Sequence, residues 1–487
     1  MQPYTPPAKP EYPLPITAAN VKKLFSHAAD FVARELHLGE LTASAFFLDG
    51  LTSGSEIAEY VLQPLSRLRE RTAAEALTRC LDGTVYSAVA DPCPDMDTVC
   101  RKLINGFCVV VFPGIEDSAA AFEAKTGEKR SPAPPEVENT VKGAKDAFTE
   151  TNRSNTGLIR RHIRSPELAV WETVVGRKSH TNVSLLYLRG LTDPELVREM
   201  KERVSKIDID GLLTPAAVEE YLTGSRKTAC PLLHYTERTD RFSQGLLEGQ
   251  VGILVDGLPL GYLAPVNVGW LMTSAEDRGS DYLTASAVRL IRYGALLLSL
   301  LLPALYVAMA QFHPAMIPTL LLRAIIQSKE QVPFPTVLEV LGLLAAFELL
   351  QEAGLHLPQS IGHTVSIIGG LVVGTAAVEA KLISPAALIV VSVAGICGYA
   401  VPGQDFSNAV RLWRFGLAVC AALAGLFGMT VGGIVLLLRL GALESCGRPY
   451  LAPFSGVTAG GAILRRRLAT QKIRDPSMRT RDKRNQR

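Results

Sequence analysis

Uncharged runs of about 20 residues crowd the region between Tyr293 and Leu440, whereas the chain before it carries short apolar stretches of strand and helix period. A helix rises about 1.5 Å per residue, so ~20 apolar residues match the hydrocarbon core of a bilayer. The runs predict membrane spans at 293–312, 361–380, 383–402 and 413–438. Between the first two, 336–353 keeps a helical period but carries Glu339, Glu348 and Glu352. Bare carboxylates in hydrocarbon cost several kcal/mol, so this acidic helix is expected at the interface, inside a protein bundle or along water.

The front of the chain reads differently. Residues 1–17 are Pro-rich and predicted disordered. Val21, Leu24, Phe25, Ala28, Phe31 and Val32 follow a helical period from Asn20 and predict one amphipathic helix. Ala43–Leu48 reads as a strand, the Ser/Thr cluster at 52–55 caps a helix running to about Leu68, and a helix over Met96–Ile104 leads to a buried strand, Phe107–Phe112. The pattern recurs: Ser44–Thr52 matches Ser184–Thr192, and Leu103–Gly106 matches Leu246–Gly249, in the same order and at nearly the same offset. The predicted fold is an α/β soluble N-terminal region of two similar α/β subdomains, 18–116 and 165–288, followed by an α-helical multi-span membrane domain, 289–445, and a basic cytoplasmic tail, 446–487. Residues 117–164 form a linker with a basic amphipathic segment, Lys142–Ile163, whose Asn152, Asn155, Arg160, Arg161 and Arg164 are expected on a solvated helix face.

A net charge of +3 over 487 residues is too weak to imply a nucleic-acid partner. The basic surplus sits at the end of the chain, Arg465 to Arg487, where it is expected to lie near anionic headgroups on the cytoplasmic side. Arg289 and Arg292 flank the first span on the same side, giving an even span count of four to six. The opening residues carry no apolar segment of signal-peptide type, so none is expected. Eight cysteines without CxxC spacing predict neither a disulfide framework nor a metal site. No phosphate loop, dinucleotide fingerprint or nucleophile elbow occurs, so no catalytic residue, cofactor or enzyme activity is expected.

Small residues mark close helix packing at Ser366, Gly370 and Gly374, and again at Gly428 and Gly432. The opposite face of the second span holds Val365, Ile368, Val372, Thr375 and Glu379, an expected pore lining with an apolar constriction and an acidic mouth.

Several segments together resemble one family. They are Asn155–Arg161 (NTGLIRR), His234–Asp240 (HYTERTD), His313-Pro314 with Ile317–Thr319, Val332–Pro335 (VPFP), Phe347–Gly354 (FELLQEAG), Ile368–Gly374 (IGGLVVG) and Gly447–Pro453 (GRPYLAP). In order, over about 42–453, they are similar to the A subunit of GerA-type spore germinant receptors. The resemblance implies a spore inner-membrane protein acting with a permease-like B subunit that senses nutrient and a C-subunit lipoprotein, and self-association into a ring that conducts ions. Lys142–Lys145 and Ala275–Arg278 depart from the family pattern. A SpoVAF-like paralogue that amplifies germination ion release, or a secondary transporter, are the alternatives at this point.

Overall fold

The computed structural model describes residues 11–87, 89–125, 134–224, 228–356, 374–454, 463–465, 467 and 471–484. They fall into two compact units, one within 1–225, 233–265 and 472–487, the other within 226–232 and 266–471.

In the first unit, β1 (Phe31–Leu38) and β2 (Leu41–Leu48) form a hairpin through Gly39, whose φ of +69° suits a glycine. With β3 (Ala90–Cys93), β4 (Phe107–Val111) and β5 (Ala119–Glu123) they make an antiparallel sheet ordered β1-β2-β4-β5-β3. β6 (Leu168–Val175), β7 (Thr181–Leu188), β8 (His234–Thr236), β9 (Val251–Val255) and β10 (Gly261–Ala264) repeat that order as β6-β7-β9-β10-β8. Both faces of the first sheet are covered. Val109 and Val111 pack on one side with Val21, Val99 and Leu103, while Cys108 and Val110 pack on the other with Ile57, Val61 and Leu77. Burial on both faces is why β4 and β9 read as unbroken apolar runs rather than alternating ones.

The amphipathic helix expected from Asn20 through Val32 stops early. The helix α1 (Ala18–Leu24) ends at the Phe25 cap, and Phe31 and Val32 open β1. Phe31 stacks between Phe25 and Phe46, at 5.1 and 5.6 Å, so strand pairing half-buries a ring that the helical period placed on the apolar face. α2 (Met96–Ile104) lies where its pattern placed it, N-capped by Asp95. Residues 472–484, from the basic end of the chain, lie against this first unit. Arg474 Nε donates to the Leu247 carbonyl and the Arg481 amide donates to that of Leu191, each at 3.0 Å.

A further helix of the first unit, α3 (Asn152–His162), precedes β6. The second unit is helical: α4 (Tyr282–Phe312), α5 (Thr319–Lys329), α6 (Thr336–His356), a short helix Gly374–Glu379, α7 (Pro385–Tyr399) and α8 (Gln404–Ala442). Among the described residues α4 and α8 are long and apolar enough to cross a membrane, and α7 is shorter. Ala304, Val307, Val340, Leu344, Val391 and Ala418 meet in its core. Large apolar side chains such as Leu298, Ile389, Ile396, Leu423, Phe427 and Leu438 point outward.

α8 is not a straight rod. Ala424 (φ −141°, ψ 22°) and Gly425 (φ 60°, ψ −139°) leave helical geometry, and Gly425 adopts a conformation essentially reserved for glycine. In a continuous helix Leu417 and Gly432 would be about 22 Å apart. Here a Cβ placed on Gly432 would stand 2.9 Å from Leu417 Cδ2 and 3.3 Å from Cys420 Sγ, so the helix folds back on itself within the stretch 413–438. A Cβ on Gly428 would overlap the Cys420 carbonyl, whereas one on Gly433 meets nothing within 4 Å. Gly428→Ala is therefore expected to destabilise the chain by about 1–3 kcal/mol through overpacking. Gly433→Ala is expected to be neutral or to stabilise by up to ~1 kcal/mol through helix propensity. The thermal unfolding midpoints of the two purified variants check this, and equal midpoints would dismiss the folded-back packing.

Candidate functional site

The acidic helix α6 holds two of its carboxylates against cations or donors from other elements, Glu339 fully buried and Glu348 partly so. Glu339, on the first turn of α6, has a fully buried side chain. Its Oε2 accepts from the Ser384 amide at 3.0 Å and from Ser384 Oγ at 2.7 Å. Ser384 also N-caps α7, its Oγ accepting from the Ala387 amide, so the carboxylate sits at the positive end of that helix. Oε1 faces Lys329 Nζ at 3.5 Å, and the same ammonium donates to Thr336 Oγ1.

Glu348, further along α6, serves two arginines. Its Oε1 accepts from Arg414 Nη2 at 2.9 Å and its Oε2 from Arg411 Nη1 at 3.0 Å. Arg411 also donates to Gln351 and Asn408, and Arg414 Nη1 reaches the Ala394 carbonyl at 3.3 Å. Spaced three apart, the two arginines share one face of α8. Arg414 is 1% exposed, and a guanidinium in that position is tolerated because a carboxylate and a carbonyl receive it. Glu352, one turn on, is exposed.

Of the other residues singled out in the sequence, Val365, Ser366, Ile368, Gly370 and Val372 lie outside the described residues. Thr375 and Glu379 are both exposed on the short helix Gly374–Glu379, and a Cβ on Gly374 would make ordinary contact with Leu388 at 3.7 Å. Lys329, Ser384, Arg411 and Arg414 are partners that sequence reasoning did not assign. A signal for the two arginines was present in their i, i+3 spacing at the head of an apolar run.

The first unit has its own polar organiser. α3 is shorter than the expected helical segment 142–163, and Asn152, Asn155 and Arg160 are buried rather than solvated. Asn155 closes a loop with Thr149, accepting from its amide at 2.8 Å and donating to its carbonyl at 2.6 Å. The Asn152 amide donates to Asp256 at 2.9 Å, and its side chain to Ser184 on β7 at 2.7 Å. Arg153 pairs with Glu172 on β6 at 2.8 Å. Toward the first sheet, Arg160 forks onto Asp30, with Nη2 to Oδ1 at 2.6 Å, and Gly157 packs so tightly on the Gly50 carbonyl that a Cβ would stand 2.6 Å from it. One helix thus fastens both sheets. At its end His162 bonds Asp146 at 2.9 Å, and that hydrogen bond holds the Asp146 carboxyl down at about 2 against the opposing push of burial.

Burial pushes the thiols of Cys80, Cys93, Cys100 and Cys108 up to about 12, which makes them poor nucleophiles and poor metal ligands. Among the described residues no group of three or more His, Cys, Asp and Glu side chains could hold a metal.

The model of the family described as Bacillus/Clostridium GerA spore germination protein matches residues 19–481. Spore germination protein KA of Bacillus subtilis (strain 168) is 34% identical over 453 residues, covering 92% of this chain and 83% of that protein. Spore germination protein GerLA of Bacillus cereus is 31% identical, covering 88% of this chain and 87% of its own length. The uncharacterized membrane protein YfkQ of Bacillus subtilis (strain 168) is 35% identical over 440 residues, covering 90% of this chain and 85% of that protein. Among solved structures, the N-terminal domain of the A subunit of the Bacillus megaterium spore germinant receptor GerK3 aligns with a TM-score of 0.39 and 25% identity, covering 51% of this chain and 92% of that one. On the match across 19–481 and these relatives, the chain belongs to the GerA family of spore germination proteins.

Proposed function

We propose that this chain is the A-type membrane subunit of a nutrient germinant receptor in bacterial spores. The carrying observation is the family match over 19–481, with relatives named as spore germination proteins along most of their length. Two long apolar helices support a membrane location, and so does a helical unit that turns Glu339 and Arg414 inward and leucines outward. In this reading the helical unit crosses the spore inner membrane several times, with the N-terminal unit on the cytoplasmic side. The chain works with a permease-like B subunit and a C-subunit lipoprotein, and it catalyses no reaction. Copies assemble into a ring whose pore is lined by Val365, Ile368, Val372, Thr375 and Glu379, and which releases ions when nutrient is sensed.

The test is cation release from dormant spores. Spores lacking the chain are expected to lose nutrient-triggered release. Val372→Ser is expected to widen and wet an apolar constriction, so that those spores leak cations in nutrient-free buffer. Val372→Ser spores as ion-tight as the parent, with the protein at its normal level, would remove that face from the pore. Unimpaired nutrient response in the deletion strain would remove the receptor reading itself.

A further inference from the structure

The geometry around Glu339 points to a monovalent-cation site, and we propose that the Lys329 ammonium occupies it as a tethered cation that a free ion of similar size, K⁺ or Rb⁺, replaces when Lys329 withdraws. The two carboxylate oxygens are treated unequally. Oε2 is satisfied twice by Ser384, while Oε1 is buried and accepts no hydrogen bond among the described residues, its nearest cation being Lys329 Nζ at 3.5 Å. A second oxygen stands at that position. Thr336 Oγ1, on a residue 4% exposed, already receives the ammonium. Carboxylate and hydroxyl oxygens are the ligands that hard cations take.

Charge decides the class of ion. One carboxylate among neutral hydroxyls is balanced by one positive charge, as the ammonium now supplies. A divalent ion would leave a net charge inside an apolar bundle, where an unbalanced charge is strongly disfavoured. Size agrees, since an ammonium head is close to K⁺ and Rb⁺.

Lys329 is also placed to leave. It is the last residue of α5, a helix with no buried residue, and its side chain is 27% exposed. Glu339, Thr336 and Ser384, by contrast, are fixed on the buried sides of α6 and α7. Two buried side-chain oxygens, Glu339 Oε1 and Thr336 Oγ1, therefore face a cation carried on a lightly packed element. The inference stands on this geometry and does not depend on the germination reading.

The test uses the full chain purified in detergent, in KCl, RbCl or choline chloride at equal ionic strength. Wild-type protein is expected to unfold at nearly the same temperature in all three. Lys329→Gln is expected to unfold several degrees lower in choline and to recover saturably with K⁺ or Rb⁺. The Glu339→Gln/Lys329→Gln chain is expected to show no such recovery. A Lys329→Gln midpoint indifferent to K⁺, or restored by lower pH alone, would overturn the proposal, because the carboxylate then takes a proton and not a metal ion. Should Lys329→Gln fail to fold, the wild type still decides. Acylation of Lys329 by an amine-directed reagent is expected to rise several-fold from choline to KCl, and an unchanged rate would overturn the proposal.

Discussion

Asp30→Ala is expected to cost the first unit about 3–5 kcal/mol, the usual penalty for stranding one member of a buried ion pair. Asp30 and Arg160 are 0% and 1% exposed at their side chains, and the guanidinium forks onto both carboxylate oxygens. Without the carboxylate, Arg160 keeps a full charge in a site closed to water, and α3 loses its buried polar anchor toward the first sheet. The destabilisation belongs to the stranded charge more than to the lost attraction. Asp30→Ala/Arg160→Met should therefore recover most of it, since replacing both members of a buried pair by apolar groups is often neutral. Amide hydrogen exchange along α3 and β1 reads the opening free energy locally, which avoids treating a two-unit chain as two-state. Wild-type protection of α3 in Asp30→Ala would mean that the helix is held by its other polar contacts and by packing, not by the buried pair.

Glu348→Ala is expected to have the next largest effect, about 2–4 kcal/mol in the helical unit. One carboxylate balances two guanidinium groups, so its removal leaves Arg411 and Arg414 both unmatched. The magnitude is set below that for Asp30 because the Glu348 side chain is 36% exposed in the isolated chain and the Arg411 side chain 20%, and only Arg414 is deeply enclosed. Glu348→Gln, which keeps an acceptor but loses the charge, should fall between Glu348→Ala and wild type. Glu348→Met/Arg411→Met/Arg414→Met should restore the unfolding midpoint. The readout is the thermal midpoint in detergent, with proteolysis of the α6–α7 region as a second measure. A Glu348→Ala midpoint within a degree of wild type would show that the arginines are satisfied elsewhere.

The duplicated architecture is legible in the sequence. Ser44–Thr52 and Ser184–Thr192 repeat because each is the second strand of a sheet with the same strand order, followed by a turn through a glycine at positive φ, Gly50 or Gly190. Buried strands such as β4 announce themselves by unbroken apolar runs. β1 was missed for the opposite reason. Phe31–Leu38 is an edge strand with three consecutive exposed residues in its middle, so neither a period of two nor an apolar run marks it, and the preceding helical period ran straight into it. In the same way, a basic and Asn-rich sequence at 152–164 reads as solvated; Arg161 and Arg164 are exposed, but the two sheets closing around α3 turn Asn152, Asn155 and Arg160 inward, where each finds a partner.

The sequence by itself determined the apolar character of the back of the chain, the repeated α/β front and the family, because length, period and ordered motifs are local properties. It also showed that the charges at Glu339, Glu348 and Glu352 had to be reconciled with apolar surroundings. Which acid meets which cation was decided only by the tertiary structure. Glu348 and Arg414 are far apart in the chain and meet because α6, α7 and α8 pack side by side, and nothing in the spacing of either helix encodes the other's rotation. The reversal at Ala424–Gly425 is of the same kind. Several glycines stand in that run, each permissive for a turn, and it is packing of Gly432 on Leu417 and of Gly428 on Cys420 that selects where the chain folds back.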